Sequence, residues 1–132
     1  MMREESGFTL VELILVTVII SILAGMVSLS VVGRSKQARV SRALGDISTY
    51  ETAIEAYALD HNDVYPDTLR ELASGEKKYV RDLKRDPWGN PYVFIVPGEH
   101  HQDSFDVLSM GPDGTAGTED DVVPWDEYED DE

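Results

Sequence analysis

The feature that most constrains this chain is an apolar run, Phe8–Val32, that contains one charged side chain, Glu12. A run of this length can cross the roughly 30 Å hydrocarbon core of a bilayer as a helix. Cleaved secretory signals have shorter apolar cores, of about 7–15 residues, that end in small residues. Here the small residues Ala24 and Gly25 lie inside the run. A carboxylate inside a membrane helix costs a few kcal/mol, so a simple anchor leaves Glu12 unexplained.

Helical periodicity continues beyond the apolar run, with apolar residues at steps of three and four and no proline before Pro66. We therefore expect one helix from Phe8 to about Leu59. Its first half is apolar on all sides and is expected to pack against copies of itself. Its second half is apolar along one stripe and is expected to pack on a head domain. His61, in the polar segment that follows, is expected to be solvated.

The remainder of the chain predicts a small head with one short helix and two strands. Asp67–Leu72 is expected to form the helix, with its first residue as the cap. Tyr92–Val96 and Ser104–Ser109 are expected to pair as antiparallel strands. His100 and His101 lie in the polar turn between them, where solvent exposure is more common than metal binding.

Negative charge is concentrated at the end of the chain. The formal net charge is −15, and nine of the fourteen residues from Glu119 to Glu132 are acidic. This balance argues against nucleic acid as a partner, since nucleic acid requires a basic face. Residues 126–132 are expected to form a solvated acidic tail. The chain has no cysteine, so a disulfide cannot hold its loops, whereas a metal ion could.

One glycine-containing loop collects four carboxylates within nine residues: Asp113, Glu119, Asp120 and Asp121. Oxygen ligands without nitrogen or sulfur donors suit calcium. The spacing does not fit an EF-hand, because the twelfth position counted from Asp113 is Pro124. From the residues alone, a calcium site and a solvated acidic loop are equally well supported.

The stretch Gly7-Phe8-Thr9-Leu10-Val11-Glu12, after a short hydrophilic leader and before the apolar run, resembles the class III signal of type IV pilins and type II secretion pseudopilins. The resemblance implies that residues 1–7 are a leader, that a prepilin peptidase cuts after Gly7, and that the new N-terminal residue, Phe8, is methylated. It also implies a partner for Glu12, namely the amine of Phe8 in a neighbouring subunit. Burying such a pair together costs less than burying either charge alone.

The same resemblance implies that residues 8–33 form the transmembrane and assembly half of the helix. Residues 34–132 would form a periplasmic head on an inner-membrane anchor. A basic cluster follows the apolar run: Arg34, Lys36, Arg39 and Arg42. The positive-inside rule would place this cluster in the cytoplasm, opposite to the family's orientation. The leader also contains Glu4 and Glu5, whereas leaders in the family are usually basic. We give the specific signal motif more weight than the charge bias.

Later motifs resemble one subfamily, the major pseudopilins of type II secretion (general secretion pathway protein G). They are Asp86-Pro87-Trp88-Gly89-Asn90-Pro91-Tyr92, Leu108-Ser109-Met110-Gly111-Pro112-Asp113-Gly114 and Gly117-Thr118-Glu119-Asp120-Asp121. The resemblance implies an α+β, type IV pilin-like fold, in which the long helix packs on a small antiparallel sheet and a C-terminal loop binds calcium.

Site residues follow from the subfamily resemblance. It implies one structural calcium ion held by the side chains of Asp113, Asp120 and Asp121, with main-chain carbonyls of Met110 and Thr115. Glu119 is expected to face solvent. It further implies assembly contacts between acidic helix residues and a basic residue of a neighbouring subunit. The candidates here are Glu51 and Glu55 with Arg81, for which Lys84 or Arg85 could substitute. The alternative is that these charges only keep the surface soluble.

The function implied is that of a structural subunit, a homo-oligomer polymerised into a periplasmic filament that helps to export folded proteins. Its partners would be the prepilin peptidase, other pseudopilins, the secretion assembly platform and the membrane. The alternative within the superfamily is a type IV pilin or minor pilin of an adhesive or DNA-uptake fibre. We expect no enzymatic activity, because the sequence has no nucleophile elbow, phosphate loop or metal-hydrolase motif. A membrane-anchored calcium sensor is a third possibility.

Overall fold

The structure, a computed structural model, describes residues 6–128. The chain divides into two compact units, Met1–Gln37 and Ala38–Glu132, and the second is called the head unit below. The elements are helix α1 (Leu10–Asp60), helix α2 (Arg70–Ala73), strand β1 (Val93–Ile95), strand β2 (Asp106–Leu108) and a 3-10 helix (Pro124–Tyr128). This order confirms the predicted α+β class. Residues 1–5 of the predicted leader (1–7) and residues 129–132 of the predicted tail (126–132) lie outside the described residues, whereas residues 126–128 of that tail belong to the 3-10 helix.

The first unit contains the apolar part of α1. The segment Leu10–Val27 has a mean hydropathy of 2.7, with none of it buried, and is long and apolar enough to cross a membrane. Its hydroxyl groups bond to the helix itself: Thr17 Oγ1 donates to the Ile14 carbonyl at 2.8 Å, and Ser21 Oγ donates to the Thr17 carbonyl at 2.7 Å. These bonds let polar side chains sit on an apolar helix without an unpaired donor.

The head unit is built on the second part of α1, whose apolar residues recur on one side. Residues of α1 that are buried there are Ala43, Ile47, Tyr50, Ala53, Ile54 and Ala58. Most of these pack in one core with residues of the rest of the unit: Leu72, Val80, Tyr92, Phe105, Val107 and Val122. The predicted stripe therefore supplies one wall of the core, and burial of this apolar surface is what favours the packed state.

The two strands form an antiparallel pair in which Val93 lies opposite Leu108 and Ile95 lies opposite Asp106. They are shorter than predicted, and Ser109 instead forms an isolated bridge with Val122. All three residues of β2 are buried. Strand β2 is therefore covered on both faces, unlike a strand with one face in solvent.

The predicted cap of the second helix is wrong. Helix α2 begins at Arg70, and the residue before it, Leu69, makes no side-chain cap hydrogen bond. The chain already turns before that point, because the Glu71 N–H donates to the Thr68 carbonyl and the Leu72 N–H donates to the Leu69 carbonyl. These tight main-chain bonds pair the first donors of the helix, so Asp67 is not needed as a cap.

Candidate metal site and assembly residues

The acidic loop brings three of its carboxylates together. Asp113, Asp120 and Asp121 each offer an oxygen, and these oxygens all lie within 4.8 Å of one another. Main-chain N–H groups bond to these carboxylates: Asp113 N–H donates to Asp120 Oδ2 at 3.0 Å, and Gly117 N–H donates to Asp121 Oδ2 at 2.7 Å. Thr115 N–H donates to Asp113 Oδ1 at 2.8 Å. The loop thus orients all three carboxylates through its own backbone.

Around the Thr118 hydroxyl, the loop has more hydrogen-bond acceptors than this one donor can satisfy. Thr118 Oγ1 lies 3.0 Å from the Thr115 carbonyl oxygen, 2.6 Å from Asp120 Oδ1 and 3.3 Å from Asp121 Oδ1. A hydroxyl has one hydrogen to donate, so it cannot satisfy three acceptors at once. Its donation to Asp120 is the main cause that lowers the pKa of that carboxyl below its usual value. A cation would satisfy the remaining oxygens.

No lysine or arginine neutralises the three carboxylates in the described part of the chain, where the ion pairs involve other acidic groups. An all-oxygen set that includes three carboxylates and a nearby carbonyl is the chemistry that calcium and magnesium prefer. The cluster is therefore compatible with metal binding. Glu119 is exposed and lies outside the cluster, as expected.

Gly111 allows the two arms of the loop to approach each other. Its φ is +64°, and a Cβ added there would lie 2.0 Å from the carbonyl oxygen of Asp120. A side chain at this position would displace the backbone of a candidate ligand. The sequence gives a hint of this role in its Gly-Pro-Asp-Gly run, although spacing alone does not reveal which chain segment passes so close.

At the other end of the chain, Glu12 closes a capping box at the start of α1. Thr9 N–H donates to Glu12 Oε2 at 2.9 Å, and Glu12 N–H donates to Thr9 Oγ1 at 3.2 Å. The Thr-x-x-Glu signature of this motif was present in the sequence but the sequence interpretation missed it. It explains why the helix begins at Leu10 and not at Phe8. Phe8 lies before the helix and is 93% exposed.

The three candidate assembly residues of the head unit do not pair within one chain. Glu51 is half-buried, whereas Glu55 and Arg81 are exposed, and none of them forms an ion pair within residues 6–128. Burial and the neighbouring Glu55 raise the pKa of Glu51, with a smaller opposing effect of His101. Arg81 lines a groove of about 500 Å³. These charges remain available to another molecule.

The paired histidines are exposed, as predicted, but they are also engaged in contacts that the sequence interpretation missed. His100 stacks on Trp125 with ring centroids 4.4 Å apart, and His101 Nδ1 lies 2.8 Å from Asp106 Oδ1. Asp106 is buried and accepts further bonds from the main-chain N–H groups of both histidines, at 2.6 Å and 3.1 Å. His61 is exposed and stacks on Tyr57, with centroids 3.9 Å apart.

Comparison with known families gives two matches that together cover most of the chain. The model of the type II secretion system (T2SS) protein G family matches residues 30–125, and that of the prokaryotic N-terminal methylation motif matches residues 2–28. Type II secretion system core protein G of Escherichia coli K12 is 40% identical over 92% of this chain and 92% of its own length. The protein of that name from Pseudomonas aeruginosa is 40% identical over 94% of this chain and 97% of its own.

One solved structure gives the same result for the fold. The crystal structure of the major pseudopilin from the type 2 secretion system of enterohaemorrhagic Escherichia coli is similar with a TM-score of 0.65 at 33% identity. The match covers 72% of this chain and 89% of that one. The predicted resemblance to type II secretion pseudopilins is therefore confirmed, both in sequence and in fold.

Proposed function

Because this chain belongs to the type II secretion system protein G family and is a structural subunit of the pseudopilus, we propose the chemistry by which it is processed, stabilised and assembled. The observation that supports the assignment best is the family match over residues 30–125 together with the methylation motif at residues 2–28. The alternative, a pilin of an adhesive or DNA-uptake fibre, is not favoured, since the relatives are secretion core proteins. The family is structural and not known as an enzyme.

Processing occurs between Gly7 and Phe8 in this proposal, and Phe8 is then methylated on its new amine. Support comes from the position of the bond, which lies before helix α1 in an exposed segment that a peptidase can reach. Co-expression with a prepilin peptidase, followed by N-terminal sequencing of the mature chain, should give methyl-Phe8. Expression without the peptidase is the control. A chain that still begins at Met1 in the presence of the peptidase would refute the assignment of the cut.

Glu12 would then pair with the Phe8 amine of a neighbouring subunit. The capping box supports this role, because the Thr9 N–H holds the Glu12 carboxylate at the helix start. A carboxylate accepts about four hydrogen bonds, so one cap bond leaves capacity for an ammonium group. Glu12→Gln keeps the shape and removes the charge. We expect this variant to be cleaved normally but to assemble poorly, as measured by filament yield from cells.

Calcium is the ion that we propose for the acidic loop, with Asp113, Asp120 and Asp121 as side-chain ligands and the carbonyls of Met110 and Thr115 as further ligands. Such an ion would stabilise the folded head by about 2.7 kcal/mol at a calcium concentration of 100 times the Kd. Unfolding of the full chain in detergent, with calcium, with magnesium and with a chelator, tests this. Identical unfolding midpoints in calcium and in chelator would refute the site.

The same experiment separates a structural ion from a calcium sensor. A structural ion predicts one folded state whose stability falls when the chelator is added. A sensor predicts a second folded state without calcium, with its own spectrum and its own unfolding transition. We propose the structural role, because each of the three carboxylates already accepts a main-chain N–H within the loop.

Assembly in the filament would further use Glu51 and Glu55 against Arg81 of another subunit. Their lack of ion pairs within residues 6–128 supports this, as does the groove beside Arg81. Glu51→Arg and Arg81→Glu should each reduce filament yield, and the two together should restore part of it. The pairing is wrong if neither single reversal reduces assembly.

Within residues 6–128 the structure has one helix long and apolar enough to span a membrane, and this helix and the family together fit an inner-membrane anchor with its pseudopilus in the periplasm. We propose that residues 8–33 cross or line the membrane and that residues 34–132 lie in the periplasm. Alkaline phosphatase fused after residue 132 is active only on the periplasmic side, so it reports this orientation directly. Inactivity of the fusion would show that the basic cluster at residues 34–42 prevails over the signal motif.

A further inference from the structure

A turn at Asp86–Asn90 holds one residue at the start of the acidic loop, Gly111, through hydrogen bonds to both of its main-chain polar groups. The Asn90 side chain donates from Nδ2 to the Gly111 carbonyl at 3.2 Å. The Gly111 N–H donates to Ser109 Oγ at 3.2 Å, and that hydroxyl donates to Asp86 Oδ2 at 2.7 Å. The turn therefore holds both polar groups of Gly111: Asn90 bonds directly to the carbonyl, and Asp86 holds the N–H through the Ser109 hydroxyl.

The main chain of Asn90 is itself held by hydrogen bonds within the turn. Its N–H donates to Asp86 Oδ1 at 2.8 Å, and its carbonyl accepts the Asp86 N–H, also at 2.8 Å. Asp86 is 3% exposed, and Ser109 is fully buried. With its main chain fixed in this way, Asn90 has its Cβ at a set position beside the loop, so side-chain rotamer freedom is all that Asn90 loses when its amide bonds to Gly111.

The Asn90 amide also packs under the far end of the same segment. A Cβ added at Gly114, whose φ is +66°, would lie 3.2 Å from Asn90 Oδ1 and 3.3 Å from Nδ2. Between the two glycines lies Asp113, whose N–H donates to Asp120 Oδ2 at 3.0 Å. One amide therefore bonds to one end of the four-residue segment that carries Asp113 and lies beside the other end.

We infer that Asn90 is a positioning residue of the acidic loop, one that holds segment 111–114 so that Asp113 reaches the other two carboxylates. The role in metal binding rests on the calcium site proposed above. The residue type fits the task, because an amide donates a hydrogen bond without carrying charge. A lysine or arginine here would compete with a cation, and an aspartate would place an acceptor against the Gly111 carbonyl.

The test uses the full chain in detergent, with calcium titrated calorimetrically into wild type and into Asn90→Ala. Loss of a bond that orients a ligand should weaken calcium binding by about tenfold, although all three carboxylates remain. Asn90→Ser keeps a polar residue in the turn but withdraws the donor from Gly111, and it provides the test if the alanine variant does not fold. Gln102→Ala removes an exposed amide and is the matched control.

Two further measurements separate positioning from general stability. In an Asp113→Ala background, Asn90→Ala should weaken calcium binding by less than about twofold more, because the positioned ligand is already gone. In chelator, the Asp113 and Thr115 amides should exchange hydrogen faster in Asn90→Ala than in wild type. Unchanged affinity of the Asn90 variants, or full additivity with Asp113→Ala, would overturn the inference. If wild type binds no calcium, the metal site is wrong, and the exchange rates alone decide whether Asn90 holds the segment.

Discussion

Replacing Asp106 by Asn is expected to destabilise the head unit more than most substitutions of one polar atom. The Asp106 side chain is 1% exposed. Its Oδ2 accepts the His100 N–H at 2.6 Å, and its Oδ1 accepts the N–H and the Nδ1 group of His101 at 3.1 Å and 2.8 Å. Gly98 closes the site, since a Cβ there would lie 2.9 Å from the Asp106 carboxylate.

The geometry sets the magnitude. An asparagine side chain has one oxygen and one amino group, so in either orientation its amino group faces a donor that the carboxylate had satisfied. A hydrogen bond to a charged group contributes about 1.5–3 kcal/mol, and a buried donor left unpaired costs about 1–3 kcal/mol. These effects overlap, and we expect a total of about 2–4 kcal/mol. For a unit of this size the unfolding midpoint should fall by roughly 10 °C or more.

Tryptophan fluorescence follows this unfolding, because Trp125 stacks on His100 at 4.4 Å and reports the same turn. The full chain is unfolded by urea and by heat in detergent at fixed calcium. Asp103→Asn, which changes an exposed carboxylate in the same turn, is the matched control and should stay within about 0.5 kcal/mol of wild type. An Asp106→Asn variant as stable as the control would refute the reasoning.

The pH dependence provides a second check on Asp106. Burial tends to raise the pKa of this carboxyl, but the His100 N–H and the two His101 groups outweigh burial and hold the pKa below its usual value. The folded state therefore binds the proton less tightly than the unfolded state does. The stabilisation is present above the ordinary Asp pKa of about 3.9 and is lost as pH falls through the lower folded value. The stability difference between wild type and Asp106→Asn should shrink over that range.

Three further substitutions test other parts of the structure. Gly111→Ala would place a Cβ 2.0 Å from the Asp120 carbonyl oxygen, at a φ of +64° that L-residues rarely adopt. Calorimetry should therefore show calcium affinity reduced by about tenfold or more. Unchanged affinity would contradict the loop geometry. Tyr92→Phe removes the 2.7 Å hydrogen bond from the tyrosine hydroxyl to Asp46 Oδ2. Urea titrations should show a free energy of unfolding lower by about 1–2 kcal/mol. No change would mean that water replaces the bond. Thr9→Ala removes one half of the capping box, so the first turn of α1 should exchange its amides faster in detergent, whereas equal exchange would show that Glu12 alone caps the helix.

The sequence predicts the long helix well because its information is periodic and local. The apolar stripe through Ile47 and Ile54 is buried, as its spacing predicts. The helix ends at Asp60, one residue beyond the predicted Leu59. The three loop carboxylates are also brought together as expected, since they lie within nine residues of a chain that its glycines allow to turn back. Short sequence separation limits where such groups can go.

Contacts between distant segments could not be predicted in the same way. From the sequence, Asp106 is expected in a strand and has no assigned role. In the structure the preceding turn offers it the main-chain N–H groups of His100 and His101, which residue identities do not reveal. The bond between Ser109 and Asp86 joins residues 23 positions apart, and neither residue alone indicates its partner. Burial of a polar group becomes favourable only when its donors are in place, so such networks follow from the fold.

The capping box changes the account of Glu12. From the sequence, Glu12 is expected to pair with the Phe8 amine of another subunit. Within one chain its carboxylate already accepts the Thr9 N–H at the helix N-terminus, where the helix dipole favours an anion. The two roles of Glu12, capping the helix and pairing with another subunit, are compatible because they follow one another. The cap holds the carboxylate close to the bond that we propose is cut, and cleavage would then create an amine one residue before the cap. A carboxylate held in this way enters an intersubunit pair with less freedom to lose than a lipid-facing glutamate would have.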